Sequence, residues 1–309
     1  MRKVIGIGET LLDIIFKDNK PVEAVPGGST FNAIVSLGRV GADALFVTET
    51  GDDHVGALVR SFLSSNNVCT DYVLERKGWK SPVSLAFLDS DNNANYTFYR
   101  DPNADPVDIP LPDINSDDIV LFGSFYAVSP ATRARVIALL ERARDCGAII
   151  YYDVNFRPSH RGDVMKVTPN LIENLEFADI VRGSRDDFEV LYKKDSAERV
   201  YRAETSFYCP RLVYTDGPRP VTVFSDGGFR KEYAMPETPT VSTIGAGDNF
   251  NAGLICAMLR YDIRRADIER GLTEAEWSKL IESATAFSAD CCAGIYNYVS
   301  KEFGANHSL

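Results

Sequence analysis

Histidine is scarce in this chain: three occur in 309 residues, His54, His160 and His307, far apart in sequence. That spacing suggests neither a zinc site nor, by itself, a catalytic triad. The six cysteines, Cys69, Cys146, Cys209, Cys256, Cys291 and Cys292, are equally scattered and show no metal-ligand spacing. Cys256 and Cys291 fall in apolar helical contexts where buried free thiols are common, so the set reads as reduced core cysteines of a cytoplasmic protein. No apolar run reaches the roughly 18–20 residues that span a bilayer, and no membrane partner is expected. The apolar stretch Val4–Gly8 is too short for a secretory leader and soon meets Glu9 and Asp13. No Gly-Lys dipeptide occurs anywhere, which excludes a P-loop. Positive charge is also in deficit, with 33 Lys and Arg against 44 Asp and Glu and a formal net charge of −11. Nucleic-acid binding needs a basic face and is not expected. A nucleotide is not excluded, since a few local amides and cations suffice for it, and the expected partner class is a small molecule.

What is present is ordinary globular material, 45% hydrophobic and 25% charged, long enough to bury a large core. Apolar strand patterns at Val4–Ile7, Ala44–Thr48, Ile119–Gly123, Ala148–Asp153, Asp179–Arg182 and Leu212–Thr215 alternate with helical ones. The helical patterns cover Thr30–Val40, Val55–Asn66, Pro130–Cys146 and Asn249–Leu259. Ser129 is the N-cap candidate of the third, with Pro130 at its first position and Gly147 past its end. The alternation predicts an α/β fold with a parallel sheet covered on both faces. Ser81–Asp101 breaks the rhythm. Val83–Leu88, the turn-like Asp89–Asn93 and Tyr96–Arg100 predict a β-hairpin, which Ile14–Phe16 and Val22–Val25 could join. With no repeat or long linker, residues 1–309 read as one domain with a small sheet, near 14–25 and 81–101, able to cover a cleft.

The strongest local feature is Ser242-Thr243-Ile244-Gly245-Ala246-Gly247-Asp248-Asn249-Phe250. Small residues at Gly245, Ala246 and Gly247 let backbone N–H groups crowd a ligand, and the apolar stripe Phe250, Leu254, Ile255, Met258 and Leu259 marks the helix that follows. A glycine loop opening a helix suits phosphate oxygens. Asp248 in the first turn could take a proton from a substrate hydroxyl, while the helix dipole is expected to favour its ionised form. On these residues alone, a helix cap and a catalytic base are equally good readings. Gly6-Ile7-Gly8-Glu9-Thr10-Leu11 begins like a dinucleotide fingerprint, but Leu11 occupies the third glycine position, so a nicotinamide-dependent oxidoreductase is a distant alternative.

The same residues resemble a known family. Thr243–Phe250 is similar to the C-terminal signature of the ribokinase-like (PfkB) sugar kinases. Gly27-Gly28-Ser29-Thr30-Phe31-Asn32-Ala33, continuing to Leu37–Ala42, is similar to the N-terminal one. Gly51–Gly56 and Gly8–Asp13 add two further matches in the family's order. The resemblance implies a Rossmann-type three-layer α/β/α sandwich with a small β-sheet lid over a sugar site. It implies transfer of the ATP γ-phosphate to a sugar hydroxyl, with Asp248 as base beside the Gly245-Ala246-Gly247 loop and Mg²⁺ bridging the phosphates. Asp13, Gly28 and Asn32 match positions that bind sugar hydroxyls, a role carboxylate and amide groups suit chemically.

Tyr96–Asp105 and Asp153–Pro158 resemble the fructokinase and 2-keto-3-deoxygluconate kinase branch, which implies substrate or phosphate contacts for Arg100 and Arg157. Fructose is the expected substrate, with ketodeoxygluconate and ribose as alternatives. Ser184-Arg185-Asp186-Asp187 stands where the family has Asn-x-x-Glu, so Asp187 is expected to act on magnesium through water. Ser184, Thr215 and Gly217 are implied on the nucleotide, with Pro220 where a second glycine is usual. Ser242 replaces a family Asp, and with Ile244 it falls in the region that holds potassium in relatives. These departures motivate an alternative of another class, a sugar-binding regulator on a kinase fold without turnover. A lid with exposed edges and apolar Val83, Leu85, Phe87, Tyr96 and Phe98 predicts a homodimer through the lid sheet.

Overall fold

The computed structural model describes residues 2–88, 94–100 and 107–309. It opens with β1 (Lys3–Ile7), β2 (Leu11–Lys17), β3 (Lys20–Gly27), α1 (Ser29–Arg39), β4 (Asp43–Gly51) and α2 (His54–Ser65). Short strands β5 (Val68–Cys69) and β6 (Val73–Arg76) precede β7 (Val83–Leu88) and β8 (Ala94–Tyr99). Strands and helices then alternate through β9 (Ile119–Gly123), α3 (Ser124–Val128), α4 (Arg133–Asp145), β10 (Ile149–Asp153), α5 (Val164–Phe177) and β11 (Ile180–Ser184). Next come α6 (Arg185–Tyr192), α7 (Ala197–Val200), β12 (Leu212–Thr215), β13 (Val221–Ser225) and β14 (Phe229–Tyr233). Helices α8 (Ala246–Arg260), α9 (Arg265–Arg270), α10 (Glu274–Cys292) and α11 (Lys301–Asn306) follow.

The main sheet has the order β14-β13-β12-β11-β10-β9-β1-β4-β5, with β6 also on β4. From β4 to β12 the neighbours are parallel, and β13 and β14 form an antiparallel edge. Strands β9 and β10 are buried at every residue, as parallel strands covered on both faces must be, which is why they read as unbroken apolar runs. One face packs Val4, Phe46, Leu121 and Tyr151 against Phe31, Leu254 and Trp277 of α1, α8 and α10. The other packs Ile5, Val120, Phe122 and Tyr152 against Leu139, Leu171 and Phe188 of α4, α5 and α6. The three-layer α/β/α architecture is therefore as expected. The helix expected over Pro130–Cys146 is shorter: α4 starts at Arg133, with Thr132 ahead of it. Ser129, at ψ 131, is extended as a residue before proline prefers to be, and Pro130 lies in a turn closed by Thr132 N–H on the Ser129 carbonyl. Gly147 does end α4, at φ 74.

The second sheet has the order β3-β2-β7-β8 and joins the two stretches that stood apart from the α/β rhythm. Asp18 and Asn19, both at positive φ (51 and 59), close the β2–β3 hairpin with the handedness that two-residue turns require. The turn expected at Asp89–Asn93, and Asp101–Asp105 of the stretch compared with the kinase branch, lie outside the described residues. Alternation along β2 buries Leu11, Asp13 and Ile15 and leaves Leu12, Ile14 and Phe16 half-covered on the opposite face. Parallel pairing with β7 sets Asp13 opposite Ser84 and stacks Phe16 on Phe87 at 4.7 Å.

Helix α8, which carries Asp248, is seated on α10 through Gly253. A Cβ there would lie 2.5 Å from the Ser283 carbonyl oxygen, and Ser283 Oγ donates to the Gly253 carbonyl at 2.8 Å. Gly253→Val must push the helices apart. It is expected to cost about 1–3 kcal/mol as overpacking does, read as a lower urea midpoint. An unchanged midpoint would contradict the close seating.

Candidate active site

The parallel strands end at one edge of the sheet, and the chain departs to opposite sides of β1 through β4 and β9. Such a switch point is where open α/β sheets bind ligands. Glu9 follows β1 there, while Asp153, Ser184 and Thr215 end β10, β11 and β12. Facing them is the start of α8. Gly245 precedes that helix in the left-handed region at φ 78, and a Cβ on it would lie 2.5 Å from the Asn297 carbonyl oxygen. The amides after it precede the intrahelical ladder, whose bond from Asn249 N–H to the Gly245 carbonyl is 2.9 Å.

Asp248 is 5% exposed. Its carboxylate accepts from Asn32 Nδ2 at 2.8 Å and from Asn155 Nδ2 at 3.4 Å, turned to these side chains rather than back to its own helix. The capping alternative is therefore not what the side chain does. Asn32 sits one turn into α1 with its side chain across the cleft. The expected effect of the helix dipole is overturned. Burial raises the Asp248 carboxyl above its ordinary value, even against Arg157, the Asn32 and Ser29 hydrogen bonds and Arg182. Desolvation outweighs the dipole for a carboxylate this deep.

Asp13 is buried within β2, bonded by Ser84 Oγ and by Asn297 Nδ2 at 3.1 Å. Burial pushes its carboxyl up to about 6; the Ser84 and Asn297 bonds oppose this, and Glu9 and Asp248 add to it. Gly28 has φ 135, and a Cβ there would lie 2.4 Å from the Glu9 carbonyl oxygen, so only glycine fits. Asp13, Gly28, Asn32 and Asp248 are thus brought together.

The two arginines differ. Arg100 is ion-paired to Glu9 at 2.6 Å. Arg157, exposed after β10, is the foremost charge acting on Asp248. Two partners escaped the sequence reading. Buried Arg182 bonds Asp153 at 3.1 Å and Thr215 Oγ1 at 2.7 Å, and its guanidinium lies 2.9 Å from where a Gly247 Cβ would stand. Burial also lifts Asp153 to about 6, against the Arg182 charge. Asn297, in the loop after α10, is the other.

Ser184, Thr215 and Gly217 line a separate open cleft with Arg185 and Arg219. Gly217 has φ 55. Ser184 and Asp187 form a capping box at the start of α6, and Asp187 also accepts from Phe156 N–H at 2.8 Å. Both Asp187 oxygens hold backbone donors, which suits action on a metal through water better than direct ligation. Among the described residues no cluster of three acidic, histidine or cysteine side chains is placed to hold a metal alone. Ser242 Oγ accepts from Ile244 N–H at 3.2 Å, and the Ile244 carbonyl lies 3.3 Å from Cys291 Sγ.

A family model described as pfkB family carbohydrate kinase matches residues 1–292. The chain belongs to that family. As a carbohydrate kinase it is 25% identical over 285 residues to probable fructokinase-6, chloroplastic, of Arabidopsis thaliana, covering 88% of this chain and 74% of the relative. Aminoimidazole riboside kinase from Salmonella enterica, solved with aminoimidazole riboside and an ATP analog, superposes with TM-score 0.85 at 21% identity. That match covers 99% of this kinase and 98% of that chain. A double mutant of the fructokinase of Vibrio cholerae O395, bound to fructose, ADP and potassium, gives TM-score 0.85 at 18% identity over 100% and 99% of the chains.

The raised carboxyls predict a pH response. With Asp248 read as the base and Asp13 as a sugar acceptor, both acting in the ionised form, kcat/KM is expected to fall as pH drops through about 6. A limb at the ordinary carboxylate value near 4 would contradict the burial. For stability the sign is opposite. The folded state prefers protonated Asp13, so this contribution is present below about pH 4 and lost as pH rises through 6. Asp13→Asn is expected to be inactive yet about 1–3 kcal/mol more stable than the parent at pH 8, the advantage vanishing near pH 4. Denaturant titration at the two pH values checks this.

Proposed function

We propose that this carbohydrate kinase transfers the γ-phosphate of ATP to a hydroxyl of fructose, with Asp248 as general base. The observation that carries the reading is the buried Asp248 carboxylate, held by Asn32 where the Gly245-Ala246-Gly247 turn opens α8. Amides at that turn would stabilise charge on the transferring phosphoryl group while Asp248 takes the hydroxyl proton. Asp13, Gly28 and Asn32 would seat the sugar, Arg100 and Arg157 would border it, and Ser184, Thr215 and Gly217 would line the nucleotide site. Magnesium would arrive with ATP and neutralise phosphate charge, with Asp187 acting through water. Potassium near Ser242 and Ile244 belongs to the same reading.

Fructose is favoured over ketodeoxygluconate by charge. Asp13, Asp248 and Glu9 make the pocket acceptor-rich, and the Arg100 charge is already paired with Glu9. The fructokinase names of the relatives point the same way. Dimerisation is proposed through the outer face of the four-stranded sheet, where Leu12, Ile14, Phe16, Val83, Leu85 and Phe87 lie half-covered; positions Tyr96 and Phe98, expected in the same interface, pair with Ala86 and Ser84 and so fall on the other face. One domain with this sheet as lid, in the cytoplasm, completes the proposal; no helix among the described residues is long and apolar enough to cross a membrane.

Phosphorylation of fructose, ribose and 2-keto-3-deoxygluconate with Mg-ATP tests the reading. Fructose is expected to give the highest kcat/KM, and Asp248→Asn to lose roughly 10²–10⁴-fold in kcat. A preference for the keto acid overturns the substrate, near-parental turnover of Asp248→Asn overturns the base, and sugar binding without phosphoryl transfer favours the regulator alternative. Light scattering at micromolar concentration is expected to show a dimer; a monomer overturns the lid interface.

A further inference from the structure

Asn297 lies outside every motif, in the loop between α10 and α11, and is 1% exposed. Its side-chain N–H donates to Asp13 Oδ2 at 3.1 Å. Its carbonyl oxygen accepts from Asn249 Nδ2 at 2.8 Å and abuts Gly245, the residue that opens α8. Asn249 in turn accepts from Ser36 Oγ of α1 at 2.5 Å and from Val299 N–H at 3.2 Å, which anchors the loop on the body. One residue therefore touches both the carboxylate of the sugar seat and the turn ahead of Asp248. Its own Oδ1 is buried without a partner. Asn32 is built the same way, with Nδ2 on Asp248 and Oδ1 buried and unpartnered. Buried amide oxygens nearly always have a donor, and a sugar hydroxyl is one.

We propose that Asn297 is a positioning residue for the sugar: it locks the Asp13 carboxylate in the orientation that receives a neutral polyol and ties that seat to the Gly245 turn. This rests on the reading of Asp13 as sugar-binding. Asp13 is faced by Ser84 from β7, Asn297 and Tyr298 from the C-terminal loop, Glu9 from the loop after β1, and Asp248 from α8. Of these, Ser84 and Asn297 supply donors that favour its ionised form, while Glu9 and Asp248 oppose ionisation. Removing the Asn297 donor leaves the carboxylate half-held among like charges.

Two variants separate this role from mere folding. Asn297→Ala removes the donor at every pH and is expected to raise KM for fructose roughly 10- to 100-fold, the worth of a hydrogen bond to a charged group. KM for ATP should stay within twofold. Asn297→Asp keeps the shape and the backbone contacts, but can donate to Asp13 only when the pair holds a proton. Its kcat/KM for fructose relative to the parent should therefore be low at pH 8 and recover toward pH 6. Circular dichroism and ATP binding establish the fold, and if Asn297→Ala does not fold, the isosteric variant decides. Fructose KM within twofold of the parent at both pH values, or equal losses for fructose and ATP, overturns the proposal. If the parent phosphorylates another neutral sugar, the same comparison on that sugar decides for Asn297 while the fructose reading alone falls. A parent that binds no sugar by calorimetry overturns both.

Discussion

The hydrogen bond from Asn32 to Asp248 joins residues 216 positions apart, and the rest of the site depends on it. A carboxylate this deep is costly unless polar partners meet it. Asn32 comes from α1, Asn155 from the end of β10, and Ser29, which receives Asn155 Nδ2 at 2.5 Å, from the start of α1. These elements meet only when β10, β9 and β1 are in register. Helix α8 then has to lie against α1 at one depth, and Gly253 lets it do so against α10. The sheet order, the helix seating and the position of Asp248 are thus one constraint.

Beneath the glycine turn the packing is as demanding. Gly247 lies against the Arg182 guanidinium and Gly245 against the Asn297 backbone, so each glycine is small on account of a particular neighbour as well as any ligand. Arg182 is a cation buried between Asp153 and Thr215. Such a pair need add nothing to stability against an apolar replacement. Its effect lies in the field it sets up, since its charge opposes the raised carboxyls of both Asp153 and Asp248.

What could be read from the sequence was what short-range chemistry encodes. The buried parallel strands announced themselves as apolar runs, and the glycine loop with Asp248 as a turn opening an amphipathic helix. Residues 14–25 and 81–101 stood out by composition and indeed pair through β2 and β7. The Asp248 environment was not legible, because the dipole is local while desolvation is set by α1, β10 and β11 together. Pro130 misled for a related reason: proline suits both the first turn of a helix and the second position of a β-turn, and the packing around it chose the turn. Arg182 and Asn297 had no local signature at all. Arg182 reads as one polar residue in an apolar strand, and Asn297 acts on a carboxylate 284 positions away.

Charge also bears on which sugar the pocket suits. Asp13, Asp153 and Asp248 are all driven toward protonation by burial, and the Asp248 charge adds to the difficulty of ionising the other two. A neutral polyol would bring hydroxyl donors to these carboxylates without adding charge. A sugar acid would bring a further negative charge, and of the two arginines only Arg157 is not already paired with Glu9. The proposed nucleotide cleft is balanced instead: Arg185 and Arg219 line it together with Asp186 and Asp216, and Arg219 pairs with Asp216 at 2.9 Å. In the proposed reaction the phosphates would meet that cleft and the opening amides of α8, and the neutral hydroxyls would meet the carboxylates. As the proposed base, Asp248 would stand between them, where a carboxyl raised by burial is better matched to taking a proton near neutral pH than an ordinary exposed one would be.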